Sequence, residues 1–159
     1  MMSTDLSKKR KFDSLQQEAY LSLWRTYDRL KAIEDQLFSK WQITPQQYNV
    51  LRLLEASNPT PIPTLVLSSR MVSRAPDITR MLDKLEASHW IERIRSLEDR
   101  RAVLVKITHA GKKLLREIAE PLRETHVAQL GHMSGKDLTH LCDLLKKVRE
   151  PHEPIGSDW

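Results

Sequence analysis

Between Arg70 and Lys113 the chain carries eleven basic residues and six acidic ones, a surplus equal to its entire net charge of +5. Basicity concentrated in this way is the footprint of a polyanionic partner, or else a solvated basic surface. The order of residues in the same stretch is more specific than its charge. MVSRAPDITRMLDKLEASHWIERIRSLEDRRAVLVKITHAG, residues 71–111, reads as a helix with a polar front, a short strand, a charged tip and a second strand. A helix followed by such a hairpin suits duplex DNA. The helix occupies the major groove while the tip meets the neighbouring backbone or minor groove.

Arg80 is long enough to meet guanine O6 and N7 with two hydrogen bonds, a contact worth about 1–3 kcal/mol of discrimination. Ser73 and Arg74, at the front of the same expected helix, can meet bases or phosphates, and Lys84 points outward with them. Asp77 suits the positive end of the helix dipole. Thr79 can offer a methyl or hydroxyl, or pack inward. The competing reading of Arg80 is an intrahelical ion pair, since Asp77 and Asp83 lie three residues away on either side. In the tip, Asp99, Arg100 and Arg101 are either a charged solvated loop or a tool. As a tool, Asp99 orients Arg101 by a charge-assisted hydrogen bond. Arg101 then enters a narrow minor groove and Arg100 meets a phosphate.

Other chemistry is sparse. There is no Gly-rich phosphate loop, nucleophile elbow or carboxylate pair with a cleft, so no enzyme is expected. The six histidines lack i, i+4 spacing on one helix, so no metal site is expected, and no cofactor. Cys142 is the sole cysteine; it allows no internal disulfide, fits a reducing cytoplasm, and reads as a small buried hydrophobe. Trp24, Tyr27, Trp41 and Tyr48 flank the junction of the long helices with the DNA lobe. They line an effector crevice or belong to the core. No apolar run is long enough to span a bilayer, and the basic N-terminus has no apolar segment behind it. With 40% hydrophobic and 30% charged residues, the chain can form a core.

The elements that must hold these groups follow from periodicity and caps. Residues 1–12 read as a mobile tail. From about Ser14, Ala19, Leu23, Tyr27, Leu30, Ile33 and Leu37 recur at helical steps, with more apolar face than one small core needs, so part should pack on a second subunit. Thr44, Pro45 and Gln47 form a capping box that opens a helix running to Ser57. Ile62–Ser69 is expected as a short helix with Ile62, Leu65 and Val66 inward. The next helix should start near Ala75, with Pro76 in its first turn and Ile78, Met81, Leu82 and Leu85 buried. It should end near Ser88, with His89 in left-handed geometry. Residues 90–95 and 102–107 are strands. Thr108 caps a long helix with Gly111 in its first turn and a kink at Pro121. Ser134 caps a last helix that buries Leu138, Leu141, Leu144, Leu145 and Val148. Pro151 and Pro154 end it.

Ile78-Thr79-Arg80-Met81-Leu82-Asp83-Lys84-Leu85-Glu86, Trp90-Ile91-Glu92-Arg93, and the run from Asp99-Arg100-Arg101 to Thr108-His109-Ala110-Gly111 resemble the TRLLDRLE, GLVER and DRRxVxVxLTxxG blocks of the MarR family of bacterial winged-helix transcription regulators. Order and spacing both match. His89 stands where the family usually has Gly, and Pro76 sits unusually far forward. The resemblance implies a mainly α fold with a small β-hairpin wing: a winged helix-turn-helix plus a helical dimerisation region. Residues 13–150 would form one domain, with 13–42 and 112–150 as dimerisation helices, 44–111 as the winged unit and 151–159 as a C-terminal tail. It implies a cytoplasmic homodimer on double-stranded DNA, at a pseudo-palindromic operator, often acting as a repressor relieved by a small aromatic or phenolic effector. It also favours the Asp99–Arg101 tool over the solvated loop. The alternative is a winged-helix protein-interaction module that does not bind DNA.

Overall fold

A computed structural model describes residues 11–157 and 159. The expected N-terminal tail therefore lies, apart from Lys11 and Phe12, outside the described residues. The chain is mostly helical, with a small three-stranded antiparallel sheet. Helix α1 spans Leu15–Ser39, α2 Pro45–Ser57 and α3 Thr64–Arg70, with strand β1, Ile62–Pro63, just before α3. Helix α4, Ile78–Ala87, leads into β2, Ile91–Arg95, and β3, Val103–Ile107. Helices α5, His109–Leu130, and α6, Gly135–Arg149, complete the order before a 3-10 turn at Glu150–His152.

The helix starts are chemical. Ser14, Thr44, Thr108 and Ser134 each accept a hydrogen bond from the backbone N–H three residues on. Thr44 and Gln47 make the reciprocal capping box, and Pro45 fills the first helical position, where a missing N–H costs nothing. Phe38, Ile43, Val50, Leu51, Leu54, Leu67, Leu82, Leu85, Ile91, Val105, Ile107 and Ile118 share one core. That core ties the winged unit to the first half of α5.

The structure departs from expectation at Ile62, along α3, at the start of α4, along α6 and at Cys142. Ile62 is not helical. Flanked by Pro61 and Pro63, it pairs with Val105 as an edge strand, a place where proline is tolerated. The wing sheet thus gains a third strand, in the order β1-β3-β2. Because α3 then starts at Thr64, its phase turns Leu67 inward, whereas Leu65 is 85% exposed and Val66 is also exposed. Helix α4 starts at Ile78 rather than near Ala75. Asp77 is its N-cap, its Oδ1 accepting the Arg80 N–H at 2.9 Å, so Pro76 precedes the helix. The last helix buries none of its residues in this chain, with Val148 56% exposed. Cys142 is exposed as well. Among the described residues Leu138, Leu141 and Leu145 are only half-buried and Leu144 and Val148 are exposed, so, contrary to expectation, the apolar side of α6 is not closed by its own chain.

The turn from α4 into β2 carries the expected left-handed residue. His89 has φ 61°. Its carbonyl accepts the Thr108 hydroxyl at 2.6 Å, and Trp90 O accepts the Thr108 N–H at 3.0 Å. This draws the start of α5 so close to the wing that a Cβ on Gly111 would sit 2.3 Å from Trp90 O. Glycine is required there by contact, not by dihedral. Helix α5 continues through Pro121.

Candidate nucleic-acid interface

Helix α4 turns Leu82 and Leu85 to the core and leaves Thr79, Arg80, Asp83 and Lys84 exposed. The feared competitors for Arg80 are both occupied. Asp77 Oδ1 accepts the Arg80 backbone N–H as the cap, and among the described residues the carboxylate makes no ion pair with the Arg80 side chain. Asp83 Oδ1 lies 2.6 Å from Arg93 Nη2, a guanidinium sent back from β2. Among the described residues neither Arg80 nor Lys84 forms an ion pair. The outward face of α4 therefore offers two uncommitted cations. They line a cleft of about 400 Å³ against Thr44, Gln46 and Gln47 at the start of α2.

Ser73 and Arg74 are not on α4. They sit in the exposed loop after α3, a consequence of the later helix start. The loop is nevertheless fixed. Gln46 Nε2 donates to Ser73 Oγ at 3.1 Å and to Arg74 O at 3.2 Å. The Val72 N–H donates to Asn49 Oδ1 at 2.9 Å. Gln46 and Asn49 escaped sequence reasoning because their partners lie more than twenty residues away; only their polar character on one side of α2 hinted at a role.

The wing tip has no glycine and closes with side chains instead. Ser96 Oγ accepts the N–H groups of Glu98 and Asp99, both at 3.2 Å. Asp99 Oδ1 accepts the Arg101 backbone N–H at 3.0 Å, and the Ser96 N–H reaches Ala102 O at 3.0 Å. Asp99 thus shapes the tip through the Arg101 backbone, and among the described residues its carboxylate does not hold the Arg101 guanidinium. Arg100 and Arg101 are exposed. Arg101 and Thr79 line one groove of about 240 Å³ between α3, α4 and β3.

Arg93 was singled out only as part of a motif. Besides Asp83, its Nη2 reaches Glu86 Oε1 at 3.1 Å, and its backbone N–H donates to Glu86 Oε2 at 3.0 Å. The hydrogen bond from Arg93 holds the Glu86 carboxyl below the usual carboxylate range. The bonds from Glu86 and then Asp83 raise the Arg93 guanidinium in turn.

The four aromatic candidates separate into two pairs. Trp41 and Tyr48 pack against the core, with the Tyr48 ring centroid 5.1 Å from that of Phe38. Burial pushes the Tyr48 phenol up. Trp24 and Tyr27 are each 62% exposed on α1, Trp24 lying beside Tyr20. Among the described residues no cluster of His, Cys, Asp or Glu could hold a metal ion, and no helix is long and apolar enough to cross a membrane.

A capped recognition helix, a glycine-free wing and the loop between α3 and α4 define a winged-helix DNA-binding protein. The chain belongs to the MarR family, whose profile matches residues 43–103. It is 31% identical over 111 residues to the Bacillus subtilis (strain 168) uncharacterized HTH-type transcriptional regulator YpoP, covering 67% of this chain and 74% of that one. A crystal structure of a MarR transcription factor from Planctomyces limnophilus superposes with TM-score 0.68 and 48% identity, over 86% of this chain and 99% of that one. A mutant MarR from E. coli complexed with operator DNA shares the fold, with TM-score 0.74 at 24% identity over 85% and 98% of the two chains. The chain is thus a DNA-binding transcription regulator and not an enzyme.

Proposed function

We propose that two copies of this chain bind a pseudo-palindromic operator, each placing α4 in the major groove and its wing tip against the flanking minor groove. The observation that carries this reading is the pair of uncommitted cations, Arg80 and Lys84, on a helix whose acids are all engaged elsewhere. Arg80 serves as the base contact, with Thr79 beside it. Ser73, Arg74, Lys84 and Arg100 meet backbone, Arg101 enters the minor groove, and Asp77 and Asp99 act through the cap and the tip. A face with this charge suits nucleic acid better than a protein-interaction module.

In the same reading, residues 13–150 form one domain in which 44–111 read DNA and the helices in 13–42 and 112–150 dimerise. The exposed Leu23, Trp24, Tyr27, Val127, Leu144 and Val148 support that division, because a lone chain leaves them in water. The regulator works in the cytoplasm as a repressor, and a small aromatic effector seated near Trp24 and Tyr27 releases it. Screening aromatic acids and phenols for release of bound DNA tests that last part.

Selection from random duplexes with the purified protein is expected to return an inverted repeat with half-sites about one helical turn apart. Affinity should fall steeply with salt. Arg101→Ala should weaken operator binding on the order of tenfold with the oligomer intact. A protein that retains no preferred sequence in dilute buffer would overturn the reading.

A further inference from the structure

Helix α4 carries two acidic residues, Asp83 and Glu86, and one guanidinium holds both. Arg93 Nη2 lies 2.6 Å from Asp83 Oδ1 and 3.1 Å from Glu86 Oε1, and the Arg93 N–H occupies the other oxygen of Glu86. Asp83 is the one that matters for reading DNA. It is exposed on the same face as Arg80 and follows it by three residues, the spacing at which opposite charges on a helix pair. Left alone, its carboxylate would draw the Arg80 guanidinium along the helix and would set a negative charge where phosphates approach.

We propose that Arg93 is a positioning residue for base recognition: by binding Asp83 from the wing, it keeps the Arg80 guanidinium unpaired and cancels the acid on the reading face. The wing strand thereby sets the specificity of the helix without touching a base. A guanidinium suits the task because its planar fork reaches two carboxylates at once. The inference rests on Arg80 being the base contact.

The test uses the full chain and the operator obtained by selection. Affinity is measured for the natural duplex and for one whose half-site guanines are 7-deazaguanine, which lacks the N7 acceptor. The unaltered protein is expected to lose about tenfold on the substituted duplex. Arg93→Ala should weaken binding to the natural duplex about tenfold and shrink the 7-deaza penalty to about threefold or less, because Asp83 now takes Arg80. Adding Asp83→Asn should restore both readouts to within about twofold of Asp83→Asn alone. If Arg93 only fastens the wing to the helix, Asp83→Asn will rescue nothing, and that result overturns the proposal. Arg80→Ala separates the two layers. It should abolish the 7-deaza penalty, and a full penalty in its presence overturns the base contact and the proposal with it. Thermal unfolding checks each variant. Should Arg93→Ala fail to fold, Arg93→Gln, which keeps the stem and a donor but not the charge, takes its place under the same expectations.

Discussion

Between Ile43 and Ile118 the chain buries side chains on every element: Leu51 and Leu54 on α2, Leu67 on α3, Leu82 and Leu85 on α4, Ile91 and Val105 on the strands. Helix α1, with 25 residues, buries only Leu37 and Phe38 at its end, and α6 buries none. Sequence periodicity alone would rank these helices as equals. The difference lies in what each has to pack against. The winged unit shares its core with Phe38 of α1 and with Leu115 and Ile118 of α5, all of one chain, so its reading face is set without a partner. Helices α1 and α5 pack on each other, with the Gln129 side-chain amide donating to Leu30 O at 2.8 Å, yet α1 and α6 still present apolar rows that the described residues leave exposed. Changes in the first region should register as folding stability, and changes in the second as assembly.

The contrast breaks most sharply at the helices. Leu23→Glu together with Val148→Glu should yield single chains by analytical ultracentrifugation, since a carboxylate in a closed apolar contact is costly. Operator affinity should then fall by about a hundredfold or more, because a second half-site no longer binds as part of the same particle. The winged unit should still unfold cooperatively. A stable pair with unchanged operator affinity would refute the assignment of those rows.

Inside the winged unit the corresponding experiment is Gly111→Ala. The added methyl meets Trp90 O and Ile107 Cγ1 at 2.3 and 2.7 Å, and backbone must move to admit it. A loss of about 1–3 kcal/mol in denaturant unfolding is expected, with oligomeric state unchanged.

How much of this was legible depends on how far each feature reaches along the chain. Thr44, Thr108 and Ser134 were readable as caps because a cap and its target lie three residues apart. The start of α4 was not, because Pro76 at a first turn and Asp77 at a cap are both sound local signals. Only the hydrogen bond to the Arg80 N–H chooses between them. Strand β1 was invisible since two residues flanked by prolines carry no period, and Ile62 finds its partner at Val105. The Arg93 clamp depends on the turn at His89 folding β2 back over α4. Arg80 and Lys84 are candidates by type and position, and the wing arginines are candidates through the family resemblance. That their competing acids were engaged elsewhere could be learned only from three dimensions.

The finest test of the comparison is His89→Gly. The residue sits at φ 61°, where an L side chain costs about 1–2 kcal/mol relative to the right-handed region. Its backbone must stay there, because its N–H reaches Glu86 O at 2.9 Å while its carbonyl takes the Thr108 hydroxyl. The imidazole is exposed and forms no hydrogen bond or ion pair among the described residues. Glycine removes the strain but adds freedom to the unfolded chain, worth roughly 0.5–1 kcal/mol against folding. The two terms leave a gain of up to about 1.5 kcal/mol, readable as a higher denaturant midpoint at constant slope. Subunit dissociation and operator affinity should not change, since the turn belongs wholly to the self-contained region. A shift in dissociation would mean that the two regions are coupled through the start of α5, where Thr108 and Gly111 meet this turn.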